Sequence, residues 1–243
     1  MGERQPVHIG MLTPSSNTVV EPMVANMLSE LPEVSGLAGR LRVTEISMNE
    51  NSQGQFDPEP MLDAGSLLSD ARVDVMGWNG TSSSWLGFDL DRELCDAITD
   101  RFGMPATTAV LAVNEILEKL GCRRIAFITP YVEEIQSRIL AQYRDAGFEC
   151  AAERHTGEHV NYAFAEITED AIAKLIREVM SDAPDAVVVM CTNMRAAGLA
   201  NDLEKEFDVP IIDSLAAFVW KGLKLGRVDT KRVRGWGRIF SDV

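Results

Sequence analysis

The chain has 243 residues, 46% hydrophobic and 25% charged, with 23 basic against 37 acidic side chains and a net charge of −14. That length holds one large or two small domains with an ample core, and a field of this sign repels phosphate backbones, which excludes nucleic-acid binding as a main function. No apolar run reaches membrane-spanning length and the N-terminal MGERQPVHIG lacks a signal-like apolar core, so a soluble, cytoplasmic protein with no nucleic-acid and no membrane partner is expected.

Along the chain, short apolar runs alternate with amphipathic stretches, the pattern of parallel β/α units. Strands are expected at His8–Thr13, Leu41–Ser47, Val73–Trp78, Ala106–Thr107, Arg124–Ile128, Glu149–His155, Ala186–Met190 and Ile211–Asp213. Leu90, Leu94 and Ile98 recur at four-residue spacing and predict a helix over Asp89–Arg101. Val110, Val113, Leu117 and Leu120 predict another over Thr107–Leu120. Thr168, followed by Glu169 and Asp170, reads as an N-cap ahead of Ile172, Leu175, Ile176 and Val179.

The two halves echo each other. IGMLTPSSN and IAFITPYVE align Pro14 with Pro130, DVMGWNGTSSS and VVVMCTNMRAA align Gly80 with Cys191, and FGMPATTAV and FDVPIIDSL align Pro105 with Pro210. Three matches in one order predict a duplicated unit. The expected fold is α/β: two similar lobes, each a small parallel sheet flanked by helices, with the site in the cleft between them. The lobes are drawn as residues 1–112 plus 215–243 and 113–214.

In open parallel sheets ligands gather at the carboxyl ends of the strands. There this sequence places TPSSN, NGTSSS, TPY and CTN, all hydroxyl, amide and thiol groups without a charge. An acidic protein that binds an anion needs such a neutral donor set. No GxGxxG or GxxxxGK[ST] occurs, which removes dinucleotide and P-loop readings. Cys95, Cys122, Cys150 and Cys191 have neither disulfide-framework nor metal-ligand spacing, and His155 and His159 have no third ligand nearby. No metal is expected.

TPSSNTVVEP resembles the N-terminal signature of maleate cis-trans isomerases, while NGTSSSWLG, TPYVEE and the tail GWGRIF resemble arylmalonate decarboxylases. The likeness runs in order over essentially the whole chain and implies the aspartate/glutamate racemase superfamily, whose members work without metal or organic cofactor. Most members place one cysteine in each lobe, on opposite faces of the substrate carbon. Here Cys191 matches the second-lobe thiol, whereas Gly80 stands where the first-lobe thiol would be. Two-base racemisation needs a group on each face, and a glycine cannot act as the nucleophile that maleate isomerases place there. Glycine in the first lobe and cysteine in the second is the arylmalonate decarboxylase pattern.

The resemblance therefore implies a lyase acting on a small α-substituted dicarboxylate, with Cys191 protonating an enediolate. A thiol near its ordinary ~8.5 would suit that step. The carboxylate-binding set it implies is Pro14, Ser15, Asn17, Thr81, Ser82, Tyr131, Asn161 and Thr192, with Leu12, Met76, Val132 and Met194 as apolar pocket wall. Thr81 and Ser82 read equally as caps, Asn17 as a turn or cap residue, Tyr131 as a packing aromatic, and Trp78 and Trp85 as core or wall. A cis-trans isomerase or racemase, and a non-catalytic carboxylate-binding protein, stay open beside the lyase. The chain is also compatible with a homo-oligomer.

Overall fold

A computed structural model describes residues 5–49, 52 and 54–243. The first sheet contains β1 (Val7–Pro14), β2 (Val34–Leu41), β3 (Val75–Trp78) and β4 (Ala106–Thr108), in the order β2-β1-β3-β4 and parallel throughout. The second contains β5 (Arg124–Thr129), β6 (Glu149–His155), β7 (Ala186–Val189) and β8 (Ile211–Asp213), in the order β6-β5-β7-β8, again parallel. Identical strand orders in the same chain sequence are what a duplicated unit requires. Strand β7 lies 111 residues after β3 at both ends, and β8 lies 105 after β4. These are the spacings of the sequence echoes.

Parallel strands need crossovers, and helices on both faces hide the sheets. After β1 comes α1 (Val20–Met27), and α2 (Pro58–Asp70) follows β2 at a distance. After β3 come the short α3 (Ser83–Leu86) and α4 (Phe88–Phe102). The second lobe repeats the scheme with α6 (Glu133–Asp145), α7 (Asn161–Phe164), α8 (Glu169–Val179) and α9 (Ala200–Phe207). The helices after the two fourth strands, α5 (Ala109–Leu120) and α10 (Ser214–Leu225), pack against each other, and a last turn, α11 (Ile239–Asp242), closes the chain. Helix α10 also touches β3 and β4 of the first sheet and helix α1, and its apolar residues Leu215, Phe218, Trp220 and Leu223 are buried.

Local signals explain the helix starts. The side chains of Thr108, Thr168 and Asp213 accept the backbone N–H of Leu111, Ala171 and Ala216, which satisfies groups that a helix N-terminus leaves open. Thr168 caps α8 as its sequence predicts, and Ile172, Ile176 and Val179 are buried along one stripe.

Two expectations change. The second strand is not Leu41–Ser47 but Val34–Leu41, an edge strand with the glycine-bearing sequence VSGLAGRL, which shows little apolar alternation. Val43 and Ile46 are apolar because they face a cavity, not because they belong to a sheet. Leu90, read as part of the buried face of α4, is 47% exposed; Leu94 and Ile98 alone turn inward. No helix among the described residues is long and apolar enough to cross a membrane.

Candidate active site

The strand ends of both lobes meet around a small cavity of about 20 Å³, room for about one water molecule. The first lobe contributes Pro14 from β1, Gly80, Thr81 and Ser82 from the turn after β3, and Val43, Ile46 and Phe56 from the segment after β2. From the second lobe come Tyr131, Asn161, Cys191 and Thr192. No charged side chain lines it among the described residues.

The loop after β2 closes the cavity by zipping onto the other lobe. Glu45 pairs with Val160 in an isolated antiparallel bridge, Ile46 N–H donates to the His159 carbonyl, and Asn161 N–H donates to the Thr44 carbonyl. Phe56 meets Trp78 and Trp85 edge to face, with ring centres 6.4 and 5.9 Å apart.

Cys191 stands just past β7, with Met190 between, and is 3% exposed. The Tyr131 hydroxyl and the backbone N–H groups of Asn193 and Met194 favour its charged form; the Met194 N–H donates to the Cys191 carbonyl at 3.3 Å. The Tyr131 oxygen also lies 2.7 Å from Thr81 Oγ1. Either hydroxyl can donate to the other, and Tyr131 joins the first lobe to the neighbourhood of the thiol. Burial pushes the Cys191 thiol up to about 12, against the lowering donors. The cause is desolvation, which lifts this thiol above its ordinary ~8.5: taken out of water, a thiolate loses its hydration. At pH 7 the resting group is S–H, an acid rather than a nucleophile.

Asp213 stands behind this centre. It pairs in register with Val189, two residues before Cys191, and is fully buried. One carboxylate oxygen caps α10 while Oδ2 has no partner, and burial raises its pKa to about 7. Its charged form raises the Cys191 thiol further. Nothing in its sequence context distinguishes it from an ordinary cap.

The predicted set divides. Cys191, Gly80, Pro14, Thr81, Ser82, Tyr131, Asn161 and Thr192 line the cavity. Ser15 is exposed and pairs with the backbone of Val43 instead. Asn17 is buried but caps α1, accepting from Val19 and Val20 N–H through Oδ1; its Nδ2 reaches Thr192 Oγ1 at 3.4 Å. Thr192 in turn donates to the Asn79 carbonyl, so these two side chains hold lobe to lobe. The Asn161 amide donates to Ser16 Oγ while its carbonyl accepts from Asn193 Nδ2.

The capping readings of Thr81 and Ser82 give way, because no side chain caps α3. Thr81 turns to Tyr131 and Ser82 accepts from the Trp78 indole N–H at 3.1 Å. Leu12, Met76 and Met194 are buried in the core and Val132 is half-buried, all outside the cavity. The apolar wall is instead Val43, Ile46, Phe56, Trp78 and Trp85.

Gly80 is filled from one side by the Trp78 indole. A Cβ built there would overlap the ring at Cζ2 and Cε2 and stand 2.9 Å from Nε1. No group of three or more potential metal ligands occurs among the described residues, and His155 pairs with Glu133 and Glu153.

The sequence profile of the arylmalonate decarboxylase family matches residues 9–240. The chain belongs to that family. Family relatives include the arylmalonate decarboxylase of Bordetella bronchiseptica, 25% identical over 237 residues and 96% of both chains. A maleate isomerase of Pseudomonas putida is also 25% identical, over 89% of this chain and 90% of that one. The fold matches a crystal structure of a Pseudomonas putida maleate isomerase with maleate at a TM-score of 0.88, with 24% identity over 98% and 99% of the two chains. This arylmalonate decarboxylase family member is accordingly an enzyme of the decarboxylase and isomerase branch of the aspartate/glutamate racemase superfamily.

Proposed function

We propose that this chain decarboxylates a small α-substituted malonate-type dicarboxylate, with Cys191 as its single proton donor. The observation that carries this reading is a buried, protonated thiol in a neutral cavity to which the first lobe contributes glycine and an indole instead of a second thiol.

The retained carboxylate meets uncharged polar side chains, those of Thr81, Tyr131, Asn161 and Thr192, which line the cavity and exchange their present partners for it. The departing carboxylate sits against the apolar wall of Val43, Ile46 and Trp85, where a localised charge is poorly solvated. The bond from the α-carbon to that carboxyl breaks and CO₂ leaves. Its electron pair stays on the α-carbon and spreads into the retained carboxylate as an enediolate. The Cys191 S–H then gives its proton to the α-carbon. Tyr131 and the Asn193 and Met194 N–H groups hold the thiolate left behind, and a proton from water restores the thiol.

A second reading, cis-trans isomerisation of an unsaturated dicarboxylate, is favoured by Asn161 in the cavity and by the isomerase relatives. It requires a nucleophile, and the buried thiol is a poor one. Proton NMR of phenylmalonate and of maleate with the enzyme separates the two. Phenylacetate formation supports the decarboxylase, whereas fumarate from maleate with phenylmalonate untouched overturns it.

A further inference from the structure

Asp213 is a buried ionisable group that lies outside the reaction cavity. In the duplicated frame it corresponds to Thr108. Both residues end the fourth strand of their sheet, and both accept the backbone N–H three residues ahead, at the start of the helix that follows. A hydroxyl performs that task in the first lobe. The second lobe puts a carboxyl there, fully buried, and its surplus oxygen Oδ2 has no hydrogen-bond partner among the described residues. Capping accounts for one oxygen of Asp213 and not for the other.

What that carboxyl can reach is set by the sheet. Asp213 stands beside Val189 on the neighbouring strand, and Cys191 lies two residues farther along that strand's chain. A strand spacing of ~4.8 Å and two residues of rise put the two α-carbons about 8 Å apart. Val189, Met190 and Ile212 around them are fully buried, so water and salt screen the interaction little.

Among the described residues no cation answers Asp213. Strand β8 packs against β7, α9 and α10. Strand β7 carries no charge, and Cys191 is the titratable group past its end. On α9, Glu204 accepts the N–H groups of Ile211 and Arg238, Lys205 pairs with Asp202, and Glu206 pairs with Arg177. On α10, Lys221 pairs with Glu115 and Lys224 donates to the Val243 carbonyl.

In the proton transfer the S–H bond breaks, a C–H bond forms at the α-carbon, and the electron pair stays on sulfur. Negative charge therefore arrives at Cys191 in the transition state. A neutral Asp213 does not oppose it, whereas a carboxylate does, as it opposes ionisation of the resting thiol. Burial brings the titration of Asp213 to about 7, so both forms are met near neutrality.

We propose that Asp213 is a positioning residue acting through Cys191: its neutral carboxyl lets the sulfur release its proton, and its carboxylate slows that release. This rests on the decarboxylase reading.

The test follows kcat/KM for phenylmalonate from about pH 6 to about pH 9, a quantity that reports the free enzyme. A fall of roughly five- to tenfold with rising pH is expected, the effect of a unit charge on about half a developing charge at this range and an effective dielectric of ~20. Asp213→Asn, and Asp213→Thr patterned on Thr108, should abolish the fall, whereas loss of a mere cap would lower the rate equally at every pH. A second measurement needs no turnover. The iodoacetamide labelling rate of Cys191, read by peptide mass spectrometry, should rise less steeply with pH in the native protein than in the two variants. The ratio of rates at the two ends of the pH range cancels any difference in access to the thiol. If phenylmalonate is untouched but these ratios differ, the coupling stands and the decarboxylase reading falls. A flat native profile with turnover, a fall that survives in both variants, or equal labelling ratios overturns the proposal.

Discussion

The Trp78 indole lies across Gly80 and occupies the space that a first-lobe thiol would need. The ring is 1% exposed and tied to Ser82, so it does not simply swing aside. By two-base logic alone, Gly80→Cys should introduce proton exchange. The packing says otherwise: the single variant should lose about 1–3 kcal/mol through overpacking and show no α-proton exchange in deuterated water. Adding Trp78→Leu should relieve the clash and allow exchange, read by loss of the NMR α-proton signal. Exchange in Gly80→Cys alone would show that the indole does not guard that face.

Cys191→Ala should reduce turnover about 10²–10⁴-fold, the scale of a lost general acid, with an unchanged circular dichroism spectrum. Because the thiol is raised to about 12, kcat in the native protein should show no limb near the ordinary thiol pKa. Alkylation by iodoacetamide at neutral pH should be slow at Cys191, and mass spectrometry of the labelled peptide checks this. Rapid labelling there would mean that the site opens to a solvated, thiolate-rich state.

Tyr131→Phe removes the hydroxyl that links Thr81 to the sulfur while leaving the ring against Trp85 and Phe164. A lost hydrogen bond to a developing charge is worth about 1.5–3 kcal/mol, so kcat should fall roughly 10- to 100-fold with little change in thermal stability. An effect on stability alone would make Tyr131 a packing residue.

Asp213 gives stability an unusual pH dependence. Burial raises its pKa from 3.8 to about 7, so the folded state holds this proton more tightly than the unfolded chain. That contribution is full below the unfolded value and is lost as pH rises through the folded one. Asp91, raised to about 6 by burial, acts in the same direction. Urea midpoints should therefore be higher at about pH 5 than at about pH 8. Asp213→Asn, which keeps an oxygen to cap α10, should gain on the order of 2–4 kcal/mol at the higher pH and clearly less at the lower, where only part of the contribution has been lost. An unchanged pH profile in the variant would sink this assignment.

By itself the sequence determined the duplicated α/β plan and the pairing of Gly80 with Cys191. Both follow from short-range patterns: buried parallel strands write themselves as apolar runs, and strand-end turns concentrate Pro, Gly, Ser and Thr at repeating offsets. It also named most of the cavity lining, since Thr81, Tyr131 and Thr192 sit in those turns. Tertiary structure alone decided the rest. Whether Asn17 grips a ligand or caps α1, and whether Thr81 caps a helix or meets Tyr131, depends on partners 50 to 175 residues away. Val43 and Ile46 looked like a strand because a cavity wall and a sheet face demand the same apolar side chains. The thiol's acidity and the indole over Gly80 are properties of burial and of shape, and neither exists until both lobes have closed around one small space.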